Sequence, residues 1–143
     1  MSVIANILRI WPKRWVSTAL VVLAILYLTI APRPVPDNDI DIPGLDKLVH
    51  VVMFGGLAIV AFIDTARRSR RSFNMPTRMS VGVIVVITIL FGGLVEIAQE
   101  LTGLGRSADW LDFVADAVGV IAGAWIANIV LRSWLRHFGN TSC

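Results

Sequence analysis

Residues 15–31 include no Asp, Glu, Lys, Arg or His, and three more apolar runs follow, at about 45–66, 79–101 and 109–131. Each is close to the roughly 20 helical residues needed to cross about 30 Å of hydrocarbon. Of the 143 residues, 56% are hydrophobic and 16% charged, with a mean hydropathy of +0.74. A soluble domain of this length still shows much of its surface to water and cannot hide so much apolar material. A bilayer is therefore the expected solvent. The runs predict an all-α, polytopic membrane protein: a single-domain bundle of four transmembrane helices over 15–31, 45–66, 79–101 and 109–131.

The segments between the runs set the topology. Arg9, Lys13 and Arg14 precede the first run as in a signal peptide. It ends, however, in Ala31-Pro32-Arg33-Pro34 rather than a small-x-small cleavage site, so it reads as a retained anchor. Residues 1–10 are mildly amphipathic and suit the interface before Pro12 interrupts them. Pro32, Pro34, Pro36 and Pro43, interleaved with Asp37, Asp39 and Asp41, forbid helix and describe an extended acidic loop. Arg67, Arg68, Arg70, Arg71 and Arg78, with Pro76 among them, close the second run, and Gly103 and Gly105 close the third.

With the N-terminus inside, Arg9, Lys13, Arg14, Arg67, Arg68, Arg70, Arg71, Arg78, Arg132 and Arg136 are cytoplasmic, against Arg33, Lys47 and Arg106 outside. This positive-inside bias puts both termini in the cytoplasm and the chain, multi-pass, in the inner (plasma) membrane. A net charge of +3 with a pI near 9.8 suits nucleic acid only as a basic face on a soluble surface. Here the basic residues flank apolar runs, so the expected partner is the lipid bilayer and not nucleic acid. A lone Cys143 allows no intramolecular disulfide.

The residues that carry chemistry are the polar ones interrupting the runs, since a charge near mid-helix costs roughly 2.5 to 3.5 kcal/mol on insertion scales. They gather in the outer halves of the last three spans. Asp46 and His50, four apart, share a helix face, which lets the carboxylate orient the imidazole beside Lys47. Glu96, Gln99 and Glu100 share a face at the end of the third span. In the fourth, Asp109, Asp112 and Asp116 run into Gly119, Gly123 and Ala127, a carboxylate stripe continued by small residues that marks an inward, closely packed face. These faces are expected to converge near the outer boundary, with Arg106 and Lys47 as counter-charges at the rim. Asp64, at the inner end, reads as solvated or paired with Arg67 or Arg68, and the arginine run as topogenic.

Two stretches resemble the VanZ-like membrane protein family. Leu45-Asp46-Lys47-Leu48-Val49-His50-Val51-Val52-Met53-Phe54 is similar to its D-K-x-x-H-x-x-x-F motif. Glu96 and Gln99, then Arg106, Asp109 and Asp112, then Gly119 and Gly123 are similar to its E-x-x-Q, R-x-x-D-x-x-D and G-x-x-x-G pattern. The sequence departs at Asp116, where the family pattern carries Asn. The resemblance covers about residues 15–131 and implies four spans in this order. Its namesake is associated with low-level teicoplanin resistance, which supplies no reaction.

The leading reading is a cell-envelope protein that binds a polar or anionic lipid headgroup, phospholipid or lipid-linked, in an outward-facing intramembrane site. In its enzymatic form His50 is general acid or base, Glu96 and Asp112 hold a divalent cation or activate water, and Arg106 and Lys47 neutralise a phosphate. Asp46, Gln99, Asp109 and Asp116 complete the binding set. The chain has no zincin motif, nucleophile elbow or P-loop. Two alternatives stand beside it: a proton or cation translocation module relaying charge through Glu96, Asp116 and His50, and a scaffold in which the cluster only locks packing.

Overall fold

The computed structural model describes residues 15–30, 44–69, 72–102 and 109–138. The amphipathic segment 1–10, the acidic loop 32–43, Arg106 and Cys143 lie outside the described residues. Among the described residues four helices make up the bundle: α1 (Val16–Ile30), α2 (Leu45–Ala66), α3 (Arg78–Thr102) and α4 (Trp110–Phe138). The last three are long and apolar enough to cross a membrane. As described, α1 is shorter: its 15 residues reach about 22 Å at 1.5 Å per residue, less than the hydrocarbon thickness.

Local chemistry explains the ends. Thr77 caps α3, its Oγ1 accepting the Ser80 N–H at 3.1 Å, and Asp109 caps α4, its Oδ1 accepting the Leu111 N–H at 2.8 Å. Gly44 precedes α2 with φ +82°, a conformation that costs glycine little. Between α2 and α3 a minimal hairpin forms, β1 (Arg67–Ser69) antiparallel to β2 (Ser72–Phe73), an addition to the all-helical expectation. At its C-terminal end α4 continues past residue 131, because no Gly or Pro stops it before Gly139 and Trp134 and Leu135 pack against the Phe62–Leu131 cluster.

The closest pair is α2 and α4, which run parallel and touch backbone to backbone. A Cβ on Gly119 would collide with the Val51 carbonyl, and one on Gly123 with the Gly55 carbonyl; one on Gly55 would lie 3.1 Å from the Gly119 carbonyl oxygen. Small residues allow this approach where lipid supplies no hydrophobic drive between helices. Around the seam lie Ile25, Phe54, Leu57, Ala58, Val95 and Val120, with Phe62, Ala66, Ala127 and Leu131 one level further along. Outward the helices present Leu20, Leu23, Tyr27, Leu90, Leu94, Ile121 and Trp125, an exposed apolar belt suited to acyl chains and not to water.

Asp64 is not solvated, one of the two readings the sequence left open. It is fully buried, and its Oδ2 accepts both the Thr18 backbone N–H (3.1 Å) and the Thr18 hydroxyl (2.7 Å). A carboxylate of α2 thus satisfies one orphan backbone donor of the first turn of α1 and ties the two helices together. Arg67 is buried as well, so the arginine run is not wholly a solvated stretch.

Candidate functional site

One end of the bundle gathers the start of α2, the end of α3 and the start of α4, and the polar side chains of these turns form a column leading inward. Its outer tier is built on Lys47. The ammonium Nζ donates to Asp46 (2.8 Å), Asp109 (3.0 Å) and Asp112 (3.2 Å), a neighbour in sequence, the cap of α4 and a residue of its first turn. The Asp109 carboxyl, just outside the span, is held below its ordinary value chiefly by the Leu111 N–H and then by Lys47.

The inner tier is built on His50. Its Nδ1 donates to Asp116 Oδ1 at 2.9 Å, with Glu96 Oε1 3.7 Å from the same nitrogen; Nε2 faces Asp112 Oδ2 at 3.8 Å. Asp112 therefore joins the tiers, one oxygen toward Lys47 and the other toward the imidazole. Glu96 is anchored from the side, its Oε2 accepting the Asp109 backbone N–H at 3.2 Å. Side-chain exposure falls from 56% at Asp46 through 32% at Lys47 and 15% at Asp112 to 9% at His50 and zero at Asp116. Below His50 the column ends on Phe54, whose ring lies near parallel to the imidazole at 6.4 Å and touches Phe91 in turn.

Of the residues singled out in the sequence, the structure brings together His50, Glu96, Asp112 and Asp116, with Lys47, Asp46 and Asp109 above them. Asp46 does not orient His50, as the shared helix face had suggested. It is exposed and bound to Lys47, and the orienting carboxylate is Asp116 of α4, brought in by the close α2–α4 seam. Gln99 is buried toward α1, its Nε2 3.5 Å from the Thr29 carbonyl at that helix's last turn. Glu100, in the last turn of α3, is exposed and so leaves the buried face of Glu96 and Gln99. Two residues the sequence reading passed over shape the site. Gly55 admits α4, and Gly92 leaves room for Asp116, whose Oδ2 would sit 2.7 Å from a Cβ placed there.

Among the described residues, two groups of donor atoms are tight enough to hold a metal ion, with all atoms of each within 4.8 Å of one another: His50, Glu96 and Asp116, and Asp46, Asp109 and Asp112. In the second, the Lys47 ammonium already bonds all three carboxylates. The first sets the His50 imidazole between two buried carboxylates. At the opposite end a shallow cavity of about 440 Å³ is lined by Met75, Arg132, Leu135 and Arg136, a basic rim remote from the column.

The motifs at both tiers, D-K-x-x-H on α2 and E-x-x-Q on α3, are the ones that carry the resemblance noted above. The family model for VanZ/LLP1 matches residues 3–131, nearly the whole chain. The chain belongs to the VanZ/LLP1 family. Comparison with curated proteins and with solved structures returns no match. Family membership and the apolar helices together make this VanZ/LLP1 chain a membrane protein.

Proposed function

We propose that this VanZ/LLP1 protein binds a lipid headgroup at the outer end of its bundle, in a polar site at headgroup depth, and presents His50 to it. The observation that carries the reading is the burial gradient of the column, from exposed Asp46 to fully buried Asp116, supplied by three helices. Ionisable groups at membrane depth are costly unless they bind or react, which favours a site over decoration. Among the described residues, five carboxylates, Asp46, Glu96, Asp109, Asp112 and Asp116, face one lysine and one histidine. A bare anion is repelled by such a set, so the headgroup that suits it carries a positive charge of its own or arrives with a cation. The Phe54–Phe91 layer beneath His50 disfavours a continuous relay across the membrane.

Native mass spectrometry of the full chain released from mild detergent tests this. Wild type is expected to retain lipid, and His50→Gln and Asp112→Asn to retain severalfold less; equal retention by all three overturns the reading. The orientation is part of the proposal, supported by the lysine and arginine bias and by Arg132 and Arg136 at the opposite rim. A periplasmic-active phosphatase fused at Gly44 or Leu104 is expected to be active and one fused after Cys143 inactive, and the reverse pattern overturns it.

A further inference from the structure

We propose that His50, Glu96 and Asp116 form a binding site for one divalent first-row metal ion of the Mn²⁺ or Zn²⁺ class, seated beneath the Lys47 tier. The inference rests on reading this end of the bundle as a binding site and names what its inner tier takes. Geometry comes first. Two atoms each about 2.1 Å from one ion lie between about 3.0 Å apart at a right angle and about 4.2 Å apart across it, by the bond lengths usual for imidazole and carboxylate. His50 Nδ1 is 2.9 Å from Asp116 Oδ1 and 3.7 Å from Glu96 Oε1. One ion placed among the three reaches all of them with small side-chain adjustments.

The second observation is independent of the cluster's composition. Asp116 is fully buried, and its Oδ2 has no hydrogen-bond partner among the described residues. It turns toward Gly92, one helical turn from Glu96 on α3. A buried carboxylate oxygen without a donor is costly, and proteins rarely leave one so. Lys47 cannot serve it, being bonded to three carboxylates of the outer tier. A cation held by both carboxylate oxygens of Asp116 gives Oδ2 the positive partner it lacks among the described residues.

The surroundings have the form expected around a metal. Asp109's N–H holds Glu96 by Oε2 and leaves Oε1 toward the imidazole. With Nδ1 given to the ion, His50 Nε2–H faces Asp112 Oδ2 at 3.8 Å, so a carboxylate backs the ligating ring. An imidazole with two carboxylates favours Mn²⁺ or Zn²⁺ over Ca²⁺, which prefers an all-oxygen set.

The test uses the full chain in detergent, stripped with chelator and titrated with Mn²⁺ followed by electron paramagnetic resonance, with Zn²⁺ competition. Wild type and the exposed control Glu100→Gln are expected to bind one Mn²⁺ per chain, displaced by Zn²⁺. Glu96→Gln, Asp116→Asn and His50→Gln should weaken binding by about tenfold or more, at least the loss that outer residues of metal sites produce. Helical circular dichroism without metal reports folding, and any variant that fails it is replaced by the other two. No Mn²⁺ bound to wild type, or binding unchanged in folded variants, overturns the proposal. Lipid retention on the same preparations is read separately: lipid kept without metal leaves the headgroup reading and removes this one, and metal bound without lipid does the opposite.

Discussion

Gly123→Val is expected to prevent assembly of the bundle, and Gly119→Val to do the same while also dismantling the polar column. At both positions the atoms that a Cβ would meet belong to the backbone of α2, the Val51 and Gly55 carbonyls, and no rotamer change can move them aside. The helices must separate, which forfeits the packing of Ala58, Val120 and Ala127 along the seam. Overpacking a closed interior costs about 1 to 3 kcal/mol, and a backbone obstacle puts these variants at or above the top of that range. His50 and Asp116 meet one turn above the Val51–Gly119 contact, so an opened seam also parts their 2.9 Å hydrogen bond. Gly56→Ala and Gly82→Ala are the controls, since a Cβ at either position meets nothing within 4 Å. Alanine also favours helix over glycine by up to about 1 kcal/mol. Thermal melts and size exclusion in detergent check all four, and a Gly123→Val protein that melts like wild type would show that the seam is not as close as described.

That seam also explains what the sequence could and could not reveal. The long apolar runs made three spans legible, and the stripe Gly119, Gly123, Ala127 marked the inward face of α4, because spacing along one helix is visible in one dimension. The partner of that stripe was not. Gly55 sits in an apolar run where a glycine carries no local signal, and only the packing shows that it is the counterpart. The same limit misassigned the imidazole's partner: the i, i+4 rule sees Asp46 beside His50, whereas the rotation of α2 against α4 selects Asp116. Asp109 held a readable signal that the chemical interest of the residue obscured, for an aspartate just before an apolar helix is a cap. Asp64 read as solvated or paired with Arg67 or Arg68 because it lies near an arginine run, yet the start of α1 is built on it from a distance of 46 residues.

His50→Gln, Glu96→Gln and Asp112→Asn are each expected to yield stable, well-expressed protein that fails to restore the envelope phenotype of a deletion strain, and to fail to the same degree. Stability is expected to hold for physical reasons particular to each. Glu96→Gln keeps an oxygen for the Asp109 N–H while removing one of the crowded carboxylates. Asp112→Asn keeps an acceptor for Lys47, whose ammonium still has Asp46 and Asp109. In His50→Gln the side-chain amide retains a donor for Asp116 Oδ1. Hydrogen bonds between helices in a bilayer average about 0.6 kcal/mol, so each change is expected to stay within about 1 kcal/mol of wild type. Activity should behave otherwise. Groups serving one site lose function together and not additively, so the Glu96→Gln, Asp112→Asn double variant should be no worse than either single one. A cluster that only fastens helices gives the opposite pattern, with melting temperatures that add and phenotype that follows abundance. Complementation, protein level and melting temperature measured on the same membranes separate the two, and full complementation by all three stable variants would leave the column as packing alone.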